Sequence, residues 1–135
     1  MIPDKKYTFS MPIRVRDYEV DAEGIVNNAE YLHYMEYTRH EFCRSAGFSF
    51  RDMHLRGIDP VVTRIEVDYK SSLTLGEEML SCLNISRKGA QFIFHQDIYK
   101  PDGTLAVSAL VKIACLENGR LTRGEPLAKA FEKYI

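Results

Sequence analysis

Hydrophobic and polar positions alternate most regularly in the middle of the chain. From Val61 to Lys70 the odd positions hold Val, Thr, Ile, Val and Tyr, while all the even positions except Val62 are charged. This period of two predicts a β-strand with one dry face and one charged face. A loop containing Gly57 and Pro60 is expected before it.

Four further strands are predicted on either side of this one. Tyr7 to Arg16 mixes aromatic, β-branched and polar residues, and its Pro12 suits a sheet edge or a bulge. The other three strands are predicted at Glu78 to Lys88, Gln91 to Tyr99 and Thr104 to Leu116. The turn signals Lys88-Gly89 and Pro101-Asp102-Gly103 separate these three, so an antiparallel meander is expected.

One long helix is predicted from Asn28 to Ala46. Its apolar positions keep helical spacing, at Leu32, Met35, Phe42 and Ala46. Gly47 is a natural C-terminal stop. A short terminal helix is expected from Leu127 to Tyr134, after Pro126. The layout of strand, helix and then strands predicts an α+β protein.

The strand from Thr104 to Leu116 is apolar on both of its faces, as in a central strand that is covered on both sides. The predicted elements offer only one long helix to cover it. We therefore expect a second subunit to cover the other face, so that the protein is a homo-oligomer.

Composition narrows the class of protein. The chain has 135 residues, 45% of them hydrophobic and 27% charged, without repeats or linkers, and predicts a single domain over residues 1–135. The formal net charge of −1 provides no basic field for nucleic acid. No apolar run approaches the ~18 residues of a membrane span, and the N-terminus does not resemble a signal peptide, so a cytoplasmic location is expected.

The cysteines indicate neither a disulfide framework nor a metal site. Cys43, Cys82 and Cys115 are odd in number, far apart in the sequence and without metal-ligand spacing. We expect buried free thiols, and we expect no metal and no cofactor.

The stretch DAEGIVNNAEYL, from Asp21 to Leu32, joins an acid, a glycine turn and two asparagines to the start of the long helix. Asn27 followed by Glu30 fits the reciprocal capping pattern of a helix start. The N–H groups of the first turn, from Asn28 to Glu30, lack helical partners, and the cap satisfies only some of them. The others can donate to an oxygen that acquires negative charge.

A carboxylate held near these N–H groups would complete an acyl-transfer site. Gly24 permits a tight return of the chain that brings Asp21 towards the helix end. The alternative is structural: Asp21 forms an Asx-turn and Asn27 only caps the helix. The local pattern alone favours the structural alternative.

The longer stretch RVRDYEVDAEGIVNNAEYLHYMEYTRHEF resembles the signature of hotdog-fold acyl-CoA thioesterases of the 4-hydroxybenzoyl-CoA thioesterase type. In that signature an aromatic-rich strand leads into D-x-D-x-x-G-x-V, followed by a helix that carries Y-L and E-x-x-R. The matching residues are Asp21, Gly24, Val26, Tyr31, Leu32, Glu36 and Arg39. Glu19 stands in place of the first Asp, and Val67 to Met79 resembles the family's second strand and the turn after it.

The resemblance implies a hotdog fold, in which an antiparallel five-stranded sheet wraps one long central helix. Two subunits would pair, as a homodimer or within a homotetramer, and bind an acyl-CoA thioester at their interface. The family's acid falls on Asp21, as general base or nucleophile, and its carbonyl-polarising N–H falls on Asn28. The expected substrate-binding residues are Gly24, Val26, Asn27 and Tyr31.

Alternatives to an acyl-CoA thioesterase stay open. The pair Asn27-Asn28 is similar to the G-H-V-N-N version in acyl-ACP thioesterases, with Ile25 at the histidine position, so an acyl carrier protein is an alternative carrier. A hydratase would need a histidine beside Asp21. A non-catalytic module that binds acyl-thioesters would use the same groove, with Asp21 as a turn residue only.

Other polar residues receive weaker predictions. Glu36 and Arg39 are expected to form a surface pair with little effect on stability, and a buried role that stabilises the loop is the alternative. Tyr31, Tyr34 and Tyr37 are expected to pack in the core or at an interface. The strand-end cations available to meet the phosphates of coenzyme A are Lys70, Arg87, Lys88 and Lys100.

Overall fold

A computed structural model describes residues 6–135, and within them the chain forms one antiparallel sheet and three helices. The strands are β1 (Phe9–Arg14), β2 (Ile58–Tyr69), β3 (Glu78–Lys88), β4 (Gln91–Tyr99), β5 (Leu105–Glu117) and β6 (Arg120–Thr122). The helices are α1 (Asn28–Ser45), α2 (Phe50–Leu55) and α3 (Glu125–Ala130), and Asp17–Glu19 forms a 3₁₀ turn. The strand order is β1-β3-β4-β5-β2, with β6 paired to β5.

Most predicted elements are confirmed. β3 and β4 have the predicted bounds, α1 ends one residue before the predicted end, and β3, β4 and β5 form the expected meander. The expectation of five strands is wrong, because a sixth strand follows the turn at Asn118-Gly119. Both turn residues have positive φ, 52° and 80°, which suits a tight hairpin. Three residues are too few for β6 to show a period of two.

β2 differs most from its prediction, because it is the edge strand of the sheet. It begins at Ile58 and runs through Pro60, which an edge strand tolerates because no neighbour needs its N–H. A bulge between Val62 and Arg64 then shifts the register, so that Val62 pairs with Ile113 and Ile65 pairs with Val111. Val62 and Ile65 therefore lie on the same face of β2. That face is not dry: Val62 is 45% exposed and Ile65 is 40% exposed.

The core lies between the sheet and the inner face of α1. The buried residues of α1 are Tyr31, Tyr34, Met35, Thr38, Arg39, Phe42 and Cys43. One apolar cluster surrounds Met35, with Leu73 and Ile98, and a second surrounds Phe42, with Phe94 and Phe131. α1 therefore contributes to the core along its whole length.

Two short helices close the end of the core around Phe42. α2 was not predicted; Ser49 caps it by accepting a hydrogen bond from the Asp52 N–H at 3.2 Å. α3 begins at Glu125 rather than Leu127, with Pro126 in its first turn, and ends at Ala130. None of the helices within residues 6–135 is long and apolar enough to cross a membrane. The three cysteines are buried free thiols, as predicted.

Candidate functional site

The loop between β1 and α1 doubles back on itself. The Asp21 N–H donates to the Ile25 carbonyl at 2.9 Å, and the Gly24 N–H donates to the Asp21 carbonyl at 3.0 Å. Gly24 has a φ of +82°, in the left-handed region that favours glycine. Single β-bridges join Val20 to Val26 and Ile25 to Thr74. The tight return brings Asp21 back beside the start of α1.

Asp21 forms the Asx-turn that the structural alternative predicted. Its Oδ1 accepts the Glu23 N–H at 2.8 Å and the Ile25 N–H at 3.4 Å. Its Oδ2 accepts no hydrogen bond from the described part of the chain, and the side chain is exposed. The turn therefore orients the carboxylate through one oxygen and leaves the other oxygen open.

Asn27 caps α1, but the predicted reciprocal capping box does not form. The Asn27 side chain accepts the Ala29 N–H at 2.9 Å. The Asn27 N–H donates to the Glu19 carbonyl at 3.0 Å, which leaves no role for the Glu30 side chain at the cap. Glu30 instead contacts His33, with 3.3 Å between Oε2 and Nδ1. The Asn27 cap is thus confirmed, but the prediction that Glu30 completes a reciprocal capping box is wrong.

Asn28 carries the N–H that the first turn of α1 leaves open. The Ala29 N–H donates to the Asn27 side chain, and the Glu30 N–H donates to the Asn27 carbonyl at 2.9 Å. Within residues 6–135 no acceptor lies at hydrogen-bonding distance from the Asn28 N–H. An open N–H at a helix N-terminus can stabilise developing negative charge.

Asp21 and Asn28 line one cavity of about 350 Å³, here called the loop cavity. Three of the predicted substrate-binding residues line it as well: Val26, Asn27 and Tyr31. The opposite wall is the segment from Tyr69 to Ser72. Gly24, the fourth, is not part of the lining; it closes the turn that holds Asp21 in place. A carboxylate and an open amide thus face the same space.

Two tyrosine rings and one lysine contribute to the lining of the loop cavity. The Tyr31 hydroxyl accepts the Leu73 N–H at 2.9 Å, and the rings of Tyr31 and Tyr69 meet edge to face at 5.6 Å. Burial raises the pKa of Tyr31. Lys70 lines the cavity, and the Lys100 Nζ donates to Ser71 at 3.4 Å.

The other predicted cations lie elsewhere. Arg87, next to Lys88 at the end of β3, donates to the Arg123 carbonyl at 2.5 Å and to Glu125 at 3.1 Å. Of the four strand-end cations, Lys70 and Lys100 are therefore the ones near the loop cavity.

Glu19 has a structural role that the sequence analysis missed. β1 ends at Arg14, and Glu19 lies in the 3₁₀ turn that follows it. Its side chain is buried and accepts the Arg16 N–H at 2.7 Å, the Arg16 Nη2 at 3.1 Å and the Tyr34 hydroxyl at 2.9 Å. Glu19 thereby ties the loop to α1. The three-residue spacing of Arg16 and Glu19, which lets the Glu19 side chain accept the Arg16 N–H, was the available signal.

The carboxylate of Glu19 also affects its partners. Its hydrogen bond raises the pKa of Arg16. Burial, followed by the hydrogen bond to Glu19, raises the pKa of Tyr34. Both partners are therefore held in the forms that donate to Glu19.

Arg39 is buried, so the predicted surface pair with Glu36 is wrong. Only 7% of Arg39 is exposed, and its Nη1 donates to the Gln96 side chain at 2.9 Å. Gln96 in turn donates to the Met35 carbonyl at 3.0 Å. Burial lowers the pKa of Arg39. Among residues 6–135 no carboxylate lies within ion-pair distance of this guanidinium.

Comparison with known proteins supports the resemblance drawn from the sequence. An acyl-CoA thioesterase YbgC from Haemophilus influenzae is 33% identical over 116 residues, which cover 84% of each chain. An acyl-acyl carrier protein thioesterase, ATL3, from Arabidopsis thaliana is 33% identical over 89 residues, 65% of this chain and 47% of that protein.

The fold has close counterparts among solved structures. A crystal structure of a protein from Aquifex aeolicus superposes with a TM-score of 0.83 at 29% identity, covering 90% of this chain and 98% of that one. The sequence model of the thioesterase-like superfamily matches residues 15–133, which include the loop, α1 and the whole meander. This chain therefore belongs to the thioesterase-like superfamily.

Proposed function

We propose that the protein is an acyl-CoA thioesterase that hydrolyses its substrate in the loop cavity. The observation that carries the proposal is the open N–H of Asn28 in the same cavity as the open carboxylate oxygen of Asp21. An acyl-transfer site needs a group to attack or to activate water, and a donor for the oxyanion. Family membership supplies the reaction class.

In the reaction we propose, the thioester carbonyl oxygen accepts the Asn28 N–H. Asp21 Oδ2 takes a proton from a water molecule, and the resulting hydroxide attacks the carbonyl carbon. The tetrahedral oxyanion is stabilised by the Asn28 N–H and by the N-terminus of α1. Collapse breaks the C–S bond, and the departing thiolate receives the proton that Asp21 took from water, which regenerates the carboxylate. If Asp21 attacked the carbonyl itself, water would then hydrolyse the mixed anhydride.

The Asx-turn supports this role rather than competing with it. Oδ1 of Asp21 is held by the Glu23 and Ile25 N–H groups, so the carboxylate cannot rotate freely. A fixed orientation of the attacking group lowers the entropic cost of reaching the transition state. The turn and the chemistry use different oxygens of one side chain.

The proposal extends to a hotdog arrangement with a second copy of the chain. β2 is a 12-residue edge strand whose exposed side chains include Val62, Ile65 and Tyr69. Long apolar edges of this kind are usually covered. Pairing along β2, in a homodimer or homotetramer, would cover the edge and enclose α1. Light scattering on wild type and Ile65→Lys should show smaller particles for the variant; equal masses would count against pairing along β2.

An acyl-carrier-protein thioester is the second candidate substrate. The similarity to ATL3 of Arabidopsis thaliana favours it, although that match spans less than half of the plant protein. Both carriers would present the same thioester to Asp21 and Asn28, and they differ only in what contacts the surface outside the loop cavity. Rates with matched acyl-CoA and acyl-carrier-protein substrates separate the two candidates.

Asp21→Asn tests the proposal. Asn keeps the oxygen that accepts the turn hydrogen bonds, but it cannot act as base or nucleophile. We expect kcat to fall ~10²–10⁴-fold, with an unchanged melting temperature. Glu23→Gln is the matched control, since Glu23 is an exposed acid on the same loop. Near-wild-type hydrolysis by Asp21→Asn would refute the mechanism. Binding without turnover by wild type would favour a non-catalytic module.

A further inference from the structure

A second cavity lies at the other end of α1 and has no role in the mechanism above. It measures about 310 Å³ and is here called the aromatic cavity. Five phenylalanines line it: Phe48, Phe50, Phe92, Phe94 and Phe131. The cavity opens to the surface beside Val62, which is 45% exposed. A cavity of this size is within the usual range for ligand sites.

One corner of the aromatic cavity carries a buried positive charge. Arg39 lines the cavity and uses Nη1 to bind Gln96. Its Nε and Nη2 find no acceptor among residues 6–135, and neither atom is sealed away from open space. Because both atoms reach open space, they can donate to water or to an acceptor that enters the cavity. The cavity thus has an apolar wall with Arg39, Glu36 and His40 as polar groups of its lining.

The two cavities are lined by different residues of the same two elements, α1 and β2. Asn28 and Arg39 are eleven residues apart, which places them ~16 Å apart along the helix axis. Their directions around that axis differ by only about 20°, so they lie on nearly the same face of α1. β2 runs beside α1, with Tyr69 in the lining of the loop cavity and Val62 in that of the aromatic cavity. Between them Ile65, on the same face of β2, is 40% exposed. An extended acyl chain would follow this apolar path.

We propose that the aromatic cavity receives the far end of the acyl group, and that Arg39 selects chains whose far end carries a hydrogen-bond acceptor. This inference rests on the thioesterase activity proposed above. The near edge of the cavity, at Glu36, is ~12 Å along α1 from Asn28, and Arg39 is ~16 Å away. With about 1.3 Å per carbon of an extended chain, these distances correspond to about nine to thirteen carbons.

The uncharged hydroxyl is the acceptor that the cavity fits best. Glu36 lines the same cavity and lies close enough to raise the pKa of Arg39 against the effect of burial. A terminal carboxylate would be repelled by Glu36, whereas a hydroxyl can accept from Arg39 and donate to Glu36. The substrate class is therefore a medium-chain acyl group oxygenated at its far end.

The first test compares substrates with wild-type protein. Acyl-pantetheine thioesters carry the arm that coenzyme A and acyl carrier protein share, so the choice of carrier does not affect the result. From butyryl to tetradecanoyl, kcat/KM should peak at decanoyl or dodecanoyl. The ω-hydroxydodecanoyl ester should exceed the dodecanoyl ester by about tenfold to a hundredfold, as for one hydrogen bond to a charged donor. A peak at butyryl or hexanoyl, or no preference for the hydroxyl, would overturn the inference.

Substitutions in the lining test whether the preferences for chain length and for the hydroxyl group arise in the aromatic cavity. Val62→Phe fills space in the cavity and should move the optimum to shorter chains. Val61→Phe is its matched control, because Val61 lies on the opposite face of β2 and is not in the lining. Arg39→Met should abolish the hydroxyl preference, and Arg39→Lys should retain part of it. If Val62→Phe preferred the same chain length as wild type, the inference would be contradicted, even if the Arg39 variants did not fold.

A binding measurement keeps the two proposals separate. Calorimetry with the non-hydrolysable thioethers S-dodecyl-pantetheine and S-(ω-hydroxydodecyl)-pantetheine needs no turnover. Tighter binding of the hydroxylated thioether, lost in Arg39→Met, would support the aromatic cavity even if no thioester were hydrolysed. Equal binding of the two, together with hydrolysis of plain esters, would refute the cavity's role and leave the thioesterase intact.

Discussion

The two ends of α1 carry cavities that are built in opposite ways. At the N-terminal end, an exposed turn and a capped helix start hold Asp21 and the Asn28 N–H in the loop cavity. At the C-terminal half, five phenylalanines line the aromatic cavity beside Arg39, which is only 7% exposed. The first cavity brings a carboxylate and an open N–H together. The second is lined mainly by aromatic rings, with Arg39 and Glu36 among its polar residues.

This difference separates reaction from recognition. Backbone N–H groups at a helix start are positioned by local geometry, so they can serve one reaction on many acyl groups. Selection among acyl groups depends on the shape and polarity of a pocket that the rest of the fold creates. On this account, changes in the loop cavity should lower the rate for every substrate. Changes in the aromatic cavity should alter which substrate is preferred.

Asn28→Pro is the sharpest test of the loop cavity. Proline removes the one N–H assigned to the oxyanion, and it suits the first residue of a helix, where no helical bond is lost. Asn27, the residue before it, is already extended, with φ −61° and ψ 139°, as a following proline requires. We expect kcat to fall ~10²–10³-fold for short and long acyl groups alike.

Its comparison variant is Asn28→Ala, which changes the side chain but keeps the N–H. This variant should lose far less activity than Asn28→Pro, and circular dichroism should show the same helix content in both. If proline and alanine had equal effects on kcat, the Asn28 N–H would not be the oxyanion donor. A loss confined to long acyl groups would break the division between the two cavities.

Glu19→Gln should show how the loop is held against α1. Gln cannot offer two anionic oxygens, so the bonds from Arg16 and Tyr34 lose their charge assistance. We expect the free energy of unfolding to fall by about 1–3 kcal/mol, measured by urea denaturation. Because the Glu19 carbonyl also fixes Asn27, kcat should fall more than KM rises.

Tyr34→Phe is the second single variant of a double-mutant cycle with Glu19→Gln. Residues that share one hydrogen-bond network are coupled, so the losses in unfolding free energy should not add. Additive losses would mean that Tyr34 and Glu19 act separately, and that the loop is not anchored to α1 through this pair.

The loop cavity could be largely predicted from the sequence because its groups lie close together in the chain. Asp21, Gly24, Asn27 and Asn28 fall within eight residues, and turn and cap signals depend on local spacing. The role of Glu19 was missed because it depends on the 3₁₀ turn after β1, which was not predicted. The anchor to Tyr34 joins residues 15 apart, which no local pattern reveals.

The aromatic cavity could not be predicted in the same way. Its lining extends from Glu36 to Phe131 and comes from helices and strands far apart in the sequence. In the sequence, Arg39 has the spacing of a surface pair with Glu36. Its burial and its hydrogen bond to Gln96 become visible only in the folded structure. The bulge in β2 likewise turns Val62 towards the cavity against the plain period of two.

Ionisation of Cys43 is expected to have the smallest effect on stability, and it tests whether water enters the aromatic cavity. Burial raises its pKa from 9.0 to about 12. Above about pH 9 the thiol ionises in the unfolded chain but not in the folded one, so stability is full below that pH and declines as pH rises towards 12. By about pH 10 this should cost about 1 kcal/mol of unfolding free energy. Cys43→Ala should lose less stability than wild type between about pH 8 and pH 10. Equal losses would mean that the thiol ionises freely in the folded protein, and that water fills the cavity at this end of α1.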